Sequence, residues 1–90
     1  MQVVQKPRFK KIVKKLHKNE KADLKKAIQA VMDDPDCGQA KKGDLLDVRV
    51  YKFKMVKQEM LLAYHYEDNT ITLTLLGLGS HENFYRDLKR

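Results

Sequence analysis

The residues with the most chemistry in this sequence stand near its carboxyl end, in Gly77-Leu78-Gly79-Ser80-His81-Glu82-Asn83-Phe84-Tyr85. An apolar, threonine-rich run stops at two glycines. A serine, a histidine, an acid, an amide and a tyrosine follow. Glycine turns a backbone where a side chain would strain it, so Gly77 and Gly79 read as a turn that delivers His81. An imidazole there moves protons near neutral pH, close to its unperturbed pKa of ~6.5. The competing reading is a surface histidine at a turn. Tyr85 lies four residues on, and in a helical tail it would share a face with His81 and point into one cleft. Its ring would otherwise anchor the tail on the rest of the fold.

A second set is Arg49, Lys52, Lys54 and Lys57 with Glu59. Lys52 and Lys54 are two apart and share one face of a strand. Cations so placed hold phosphates and stabilise the charge that grows in phosphoryl transfer. An ordinary solvated sheet face is the alternative. Glu59 serves as a second acid or base, or is a surface charge beside Lys57. A third set, Lys10, Lys11, Lys14, Lys15 and Lys18, is either a phosphate-contact surface or the solvated back of a helix. His17 sits among these lysines and reads as solvated. His65 faces the opposite way from Tyr64 and Tyr66. No Cys/His spacing for zinc, phosphate-cradling glycine loop or carboxylate cluster is present, so neither a metal nor a cofactor is expected.

The charge is distributed unevenly. Residues 1–26 hold ten Lys/Arg and two acids, whereas residues 27–90 hold nine and ten, so the amino-terminal part carries all of the net +7. Such a field favours nucleic acid, an anionic surface or an acidic protein. With 42% hydrophobic and 34% charged residues, the composition is that of a folded domain and not of a disordered chain. Ninety residues make a single domain, 1–90, with one modest core. No apolar run approaches the ~20 residues of a membrane span, and no secretion signal is visible, so no membrane partner is expected. Cys37 is alone, which excludes an internal disulfide and reads as cytoplasmic.

These side chains need elements to hold them. Val3-Val4 reads as an edge strand. Pro7 suits a first helical turn, and Phe9, Ile12, Val13 and Leu16 repeat at helical spacing, which predicts a helix over Pro7 to His17. Asn19 caps a second helix whose stripe is Leu24, Ala27, Ile28 and Val31, stopped by Asp33-Asp34-Pro35. Residues 35–47 read as a loop. Then the period changes. Val48 to Met55, Met60 to Tyr66 and Thr70 to Leu76 read as strands, the last with Ile71, Leu73 and Leu75 on one face. Glu67-Asp68-Asn69 is a turn signal. The expected fold is α+β: an amino-terminal strand and a helical hairpin packed on an antiparallel β-meander, with a short carboxyl-terminal helix or tail.

This order, with a Gly43-Asp44-Leu45 loop, Leu61-Leu62-Ala63-Tyr64, the Ile71-to-Leu76 strand and the closing Gly79-Ser80-His81, resembles the RelE/ParE superfamily of type II toxins along essentially the whole chain. The closing motif is similar to that of the YafQ branch. The resemblance implies a metal-independent endoribonuclease that cuts messenger RNA on the ribosome, the ribose 2′-hydroxyl attacking the adjacent phosphate. It implies that His81 leads proton transfer and Tyr85 orients a base or phosphate. Lys52, Lys54 and Lys57 offset charge, and Glu59 falls near an acidic catalytic position. It also implies a cognate antitoxin that covers the site or displaces the tail. Departures are present. The RelE branch has arginine where this chain has Leu61 and another near His81, and the YafQ branch has a histidine near Met55-Val56. The ParE branch shares the fold, lacks these ribonuclease residues and inhibits DNA gyrase by binding, which is the alternative function.

Overall fold

The computed structural model describes residues 1–41 and 47–80. In chain order its elements are β1 (Gln2–Gln5), α1 (Pro7–Lys14), α2 (Lys18–Asp33), β2 (Gln39–Ala40), β3 (Arg49–Met55), β4 (Gln58–Glu67) and β5 (Thr72–Gly79). The strands form one sheet in the order β1-β5-β4-β3-β2. β1 runs parallel to β5, and the other neighbours are antiparallel. The expected α+β class and the meander are therefore present. Gly43-Asp44-Leu45, His81, Tyr85 and the rest of the tail lie outside the described residues.

Proline opens α1 at its first turn, where a missing N–H costs no hydrogen bond. Phe9 is buried, with Ile12, Val13 and Leu16 packed beside it. The helix ends at Lys14, short of the expected His17. The reason is a tightened last turn, in which the N–H groups of Lys15 and Leu16 donate to Ile12 and Val13, three residues back. The cap of α2 also differs from expectation: His17 holds it, not Asn19. The Glu20 carboxylate reaches back to the His17 N–H at 2.8 Å, one half of a capping box. Asn19 lies inside the first turn and accepts from the Glu20 N–H at 3.0 Å.

One face of the sheet carries the core. Leu62, Tyr64, Leu73 and Leu75 meet Phe9, Leu24, Ala27 and Val31 of the helices. Fully burying a leucine of this kind stabilises the fold by about 1.5–3 kcal/mol. A register shift between Ala63 and Tyr64 opposite β5 changes which β5 residues face the helices. Leu75 and Leu78 consequently both join this core although they are three apart. Val50, Leu61 and Ala63 form a separate buried seam, with Val48 and Leu76 against it.

Three further expectations are corrected. The stretch from 35 to 47 is not all loop, because Gln39–Ala40 pairs with Val50 and Arg49. Tertiary contacts make that strand: the Tyr64 hydroxyl donates to the Pro35 carbonyl at 2.6 Å and accepts the Gly38 N–H at 2.9 Å. Gly38 is required there, since a Cβ would stand 2.6 Å from that hydroxyl. Gly77 and Gly79 are not a turn but β5 residues paired with Ala63 and Leu61. Ile71 is not on the core face; it lies in the β4–β5 turn at φ 51° and is 53% exposed. Among the described residues no helix is long and apolar enough to cross a membrane.

Candidate nucleic-acid interface

Strand alternation places Lys52 and Lys54 on the sheet face that the helices do not cover. Lys54 stands directly across from Glu59, and Lys52 across from Leu61. Lys52 Nζ lies 3.9 Å from Glu59 Oε1, with side chains 63% and 52% exposed. An ion pair this long and this exposed contributes at most about 1 kcal/mol, so all three groups remain available to a ligand. Lys57 is exposed at the hairpin tip, at φ 72°. Leu61 is buried in the apolar seam. Opposite Leu61, β5 reaches Gly79. The chain thus leaves the sheet across β4 from Lys52, with Leu61 between them and two residue pairs from Lys54 and Glu59, and leads on in sequence to His81 and Tyr85.

The other cations are elsewhere. Lys10, Lys11, Lys14, Lys15 and Lys18 are exposed on the helices, and the helices lie across the opposite face of the sheet. The molecule therefore has two basic surfaces with the sheet between them. Arg49 belongs to neither. It pairs across the sheet with Tyr64, and its guanidinium donates to the carbonyls of Gly38 at 2.8 Å and Asp36 at 3.3 Å. A 3.5 Å contact with the Asp36 carboxylate completes its role in tying the post-helical loop to β3. His17 is exposed at the α2 cap. His65 is half-buried, with Nδ1 2.8 Å from the Asp47 carbonyl oxygen, and its cross-strand partner is Thr74, far along β4 from Glu59.

Lys41 was not among the candidate residues. The short β2 brings it to a groove of about 350 Å³ that Gln39, Val50, Lys52 and Leu61 also line. Its Nζ reaches Gln39 Oε1 at 3.4 Å. Only the pairing of Gln39–Ala40 with β3 places it there, and that pairing depends on residues distant in sequence. Burial pushes the Tyr64 phenol up to about 12, so this tyrosine stays a neutral donor and a structural group. Burial also raises the Cys37 thiol, which disfavours the reactive thiolate. Among the described residues no group of three or more His, Cys, Asp or Glu side chains is placed to hold a metal ion.

A sheet with two helices on one face and exposed cations on the other, near the end of β5, is the arrangement on which the comparisons bear. The family pattern of the ParE-like toxins of type II bacterial toxin-antitoxin systems matches residues 3–89. The chain belongs to this family. No curated protein matches this toxin in sequence. Its fold is similar to that of the toxin in the intact Escherichia coli RelBE toxin-antitoxin complex, at 23% identity over 90% of this chain and 96% of that one, TM-score 0.71. It is also similar to a mutant of E. coli RelE in the free state, at 20% identity over 97% and 87% of the two chains, TM-score 0.73. A conserved hypothetical protein of Helicobacter pylori is 20% identical over 90% and 94%, TM-score 0.57. At such identities the likeness concerns the fold, and the ParE-like toxin described here is a RelE/ParE-superfamily member by both sequence pattern and architecture.

Proposed function

We propose that this toxin is an endoribonuclease that cuts messenger RNA on the ribosome without a metal ion. The observation that carries the reading is the grouping of exposed Lys52, Lys54 and Glu59 at the hairpin end of the sheet face away from the helices, near where β5 ends and the chain continues to His81. A sugar–phosphate strand laid across this end meets two cations and a carboxylate. In the proposed reaction a base, Glu59 or His81, takes the proton of the ribose 2′-hydroxyl. The 2′-oxygen bonds to the adjacent phosphorus, and the bond to the 5′-oxygen breaks. A proton from the other member of the pair goes to that leaving oxygen, which yields a 2′,3′-cyclic phosphate and a free 5′-hydroxyl. Lys52, Lys54 and Lys57 offset the charge on the phosphorane, the kind of contribution that electrostatic preorganisation makes. Tyr85 orients a base or the phosphate. The helix lysines Lys10, Lys11, Lys14, Lys15 and Lys18, on the far side, contact ribosomal RNA phosphates.

The natural partner in this reading is a cognate antitoxin, by analogy with the RelBE complex. The site of action is the cytoplasm. The test is induction of the parent, His81→Ala and Lys54→Ala in cells, with growth followed and mRNA ends mapped. New 5′-hydroxyl ends within translated messages are expected for the parent, with both variants at least tenfold weaker. Full cleavage by His81→Ala would remove the proposed acid–base role.

The ParE-like family match favours one second reading, inhibition of DNA gyrase by binding. It predicts intact mRNA, an induced DNA-damage response and indifference to His81→Ala.

A further inference from the structure

The β3–β4 connection is two residues, Val56 and Lys57, between the paired Met55 and Gln58. Both take positive φ, 47° and 72°. That is the pattern of a type I′ hairpin turn, which favours Asn-Gly. A β-branched residue is an outlier in this region of backbone space. The contact that holds Val56 there comes from another element: its N–H donates to Asp23 Oδ2 of α2 at 2.8 Å. Asp23 is half-buried and shares a groove with Lys26, Tyr51, Phe53 and Lys54. One residue pair inward from the turn, beyond Met55 and Gln58, stand Lys54 and Glu59. Unfavourable backbone that persists only because its surroundings hold it is found where geometry must be fixed.

We propose that Asp23 is a positioning residue: by holding the Val56 N–H it locks the hairpin tip to α2 and fixes Lys54, Lys57 and Glu59 relative to one another. This inference deepens the nuclease reading and rests on it. The carboxylate touches no substrate and acts through the turn. Its charge, in a groove that Lys26 and Lys54 also line, is the competing explanation of any effect, and a neutral acceptor separates the two. Asp23→Asn keeps an oxygen that accepts the N–H. Asp23→Ala removes it. Val56→Asn supplies a residue that tolerates left-handed backbone, so the turn no longer needs the clamp.

The experiment pairs amide exchange of Val56, which needs no activity, with steady-state cleavage of mRNA on programmed ribosomes. In Asp23→Ala the Val56 amide exchanges about tenfold faster and kcat falls about tenfold, the effect of losing one charge-assisted hydrogen bond, while KM changes less than about twofold. Asp23→Asn stays within about threefold of the parent in both. Val56→Asn returns the kcat of Asp23→Ala toward the parent value. An unprotected Val56 amide in the parent overturns the clamp, as does Asp23→Ala with parental kcat. Equal damage in Asp23→Asn and Asp23→Ala assigns the effect to charge and overturns it too. A parent that arrests growth without cutting RNA overturns the nuclease reading and the role of Asp23 in that reaction. The exchange data then decide by themselves whether the turn is clamped.

Discussion

The two faces of the sheet are built from the same strands and hold their polar groups in opposite ways. On the helix side, Tyr64 is fully buried and its hydroxyl is used twice, to Pro35 and Gly38. Arg49 satisfies the carbonyls beside it. On the other side, Lys52 and Glu59 meet at 3.9 Å, largely in water. At the hairpin end of β3 alternate residues therefore serve stability and charge separately, Phe53 and Met55 inward against Lys52 and Lys54 outward. The difference teaches that tight polar contacts mark the scaffold of this toxin, and loose ones mark the exposed surface that the proposed function assigns to RNA.

Substitutions on each face test that division. Leu62→Ala, at a site with no exposed surface, should lower unfolding free energy by about 2–5 kcal/mol in denaturant titration; a loss under about 1 kcal/mol would mean that this face is not the core. Tyr64→Phe should cost about 1–3 kcal/mol, because a buried N–H and a carbonyl lose their partner. It should also change the alkaline limb of stability. The folded phenol sits at about 12 against an ordinary 10.0. Its contribution is then complete below pH 10 and lost as pH rises toward 12, since the unfolded chain releases that proton first. The phenylalanine variant should lack this decline in pH-dependent unfolding; an identical decline would assign it to another group. Smallest in stability is Lys52→Ala, expected to change unfolding by less than about 1 kcal/mol. The same variant should reduce the slope of log affinity against log salt for single-stranded RNA by about 0.7. An unchanged slope would remove Lys52 from the phosphate contacts.

Most of the scaffold was legible because it is written in short-range pattern. The stripes of Phe9 to Leu16 and of Leu24 to Val31, and the alternation around Tyr51 to Met55, fix helix and strand before any contact is known. The shared face of Lys52 and Lys54 follows from the same alternation. What stayed hidden depends on distant partners. Gln39–Ala40 is a strand only because Tyr64 and Arg49 pin the chain beside β3. Gly77 and Gly79 look like a turn in isolation, yet they extend β5 opposite Ala63 and Leu61, where a register shift alters the facing of the strand. Arg49 looked like one of a row of cations, but its cross-strand neighbour directs it to the loop. Asp23 and Val56 are 33 residues apart, and no local spacing joins a helix carboxylate to a hairpin amide.

The parallel pairing of β1 with β5 has a consequence for how the toxin comes into being. Val3 and Val4 find their ladder partners at Leu73 and Thr74, so this edge of the sheet forms only when two segments far apart in the sequence meet. Until Thr72–Gly79 has been made, β1 has no strand to pair with. Such non-local pairing slows folding, and until it forms the β5 edge stays open to other strands.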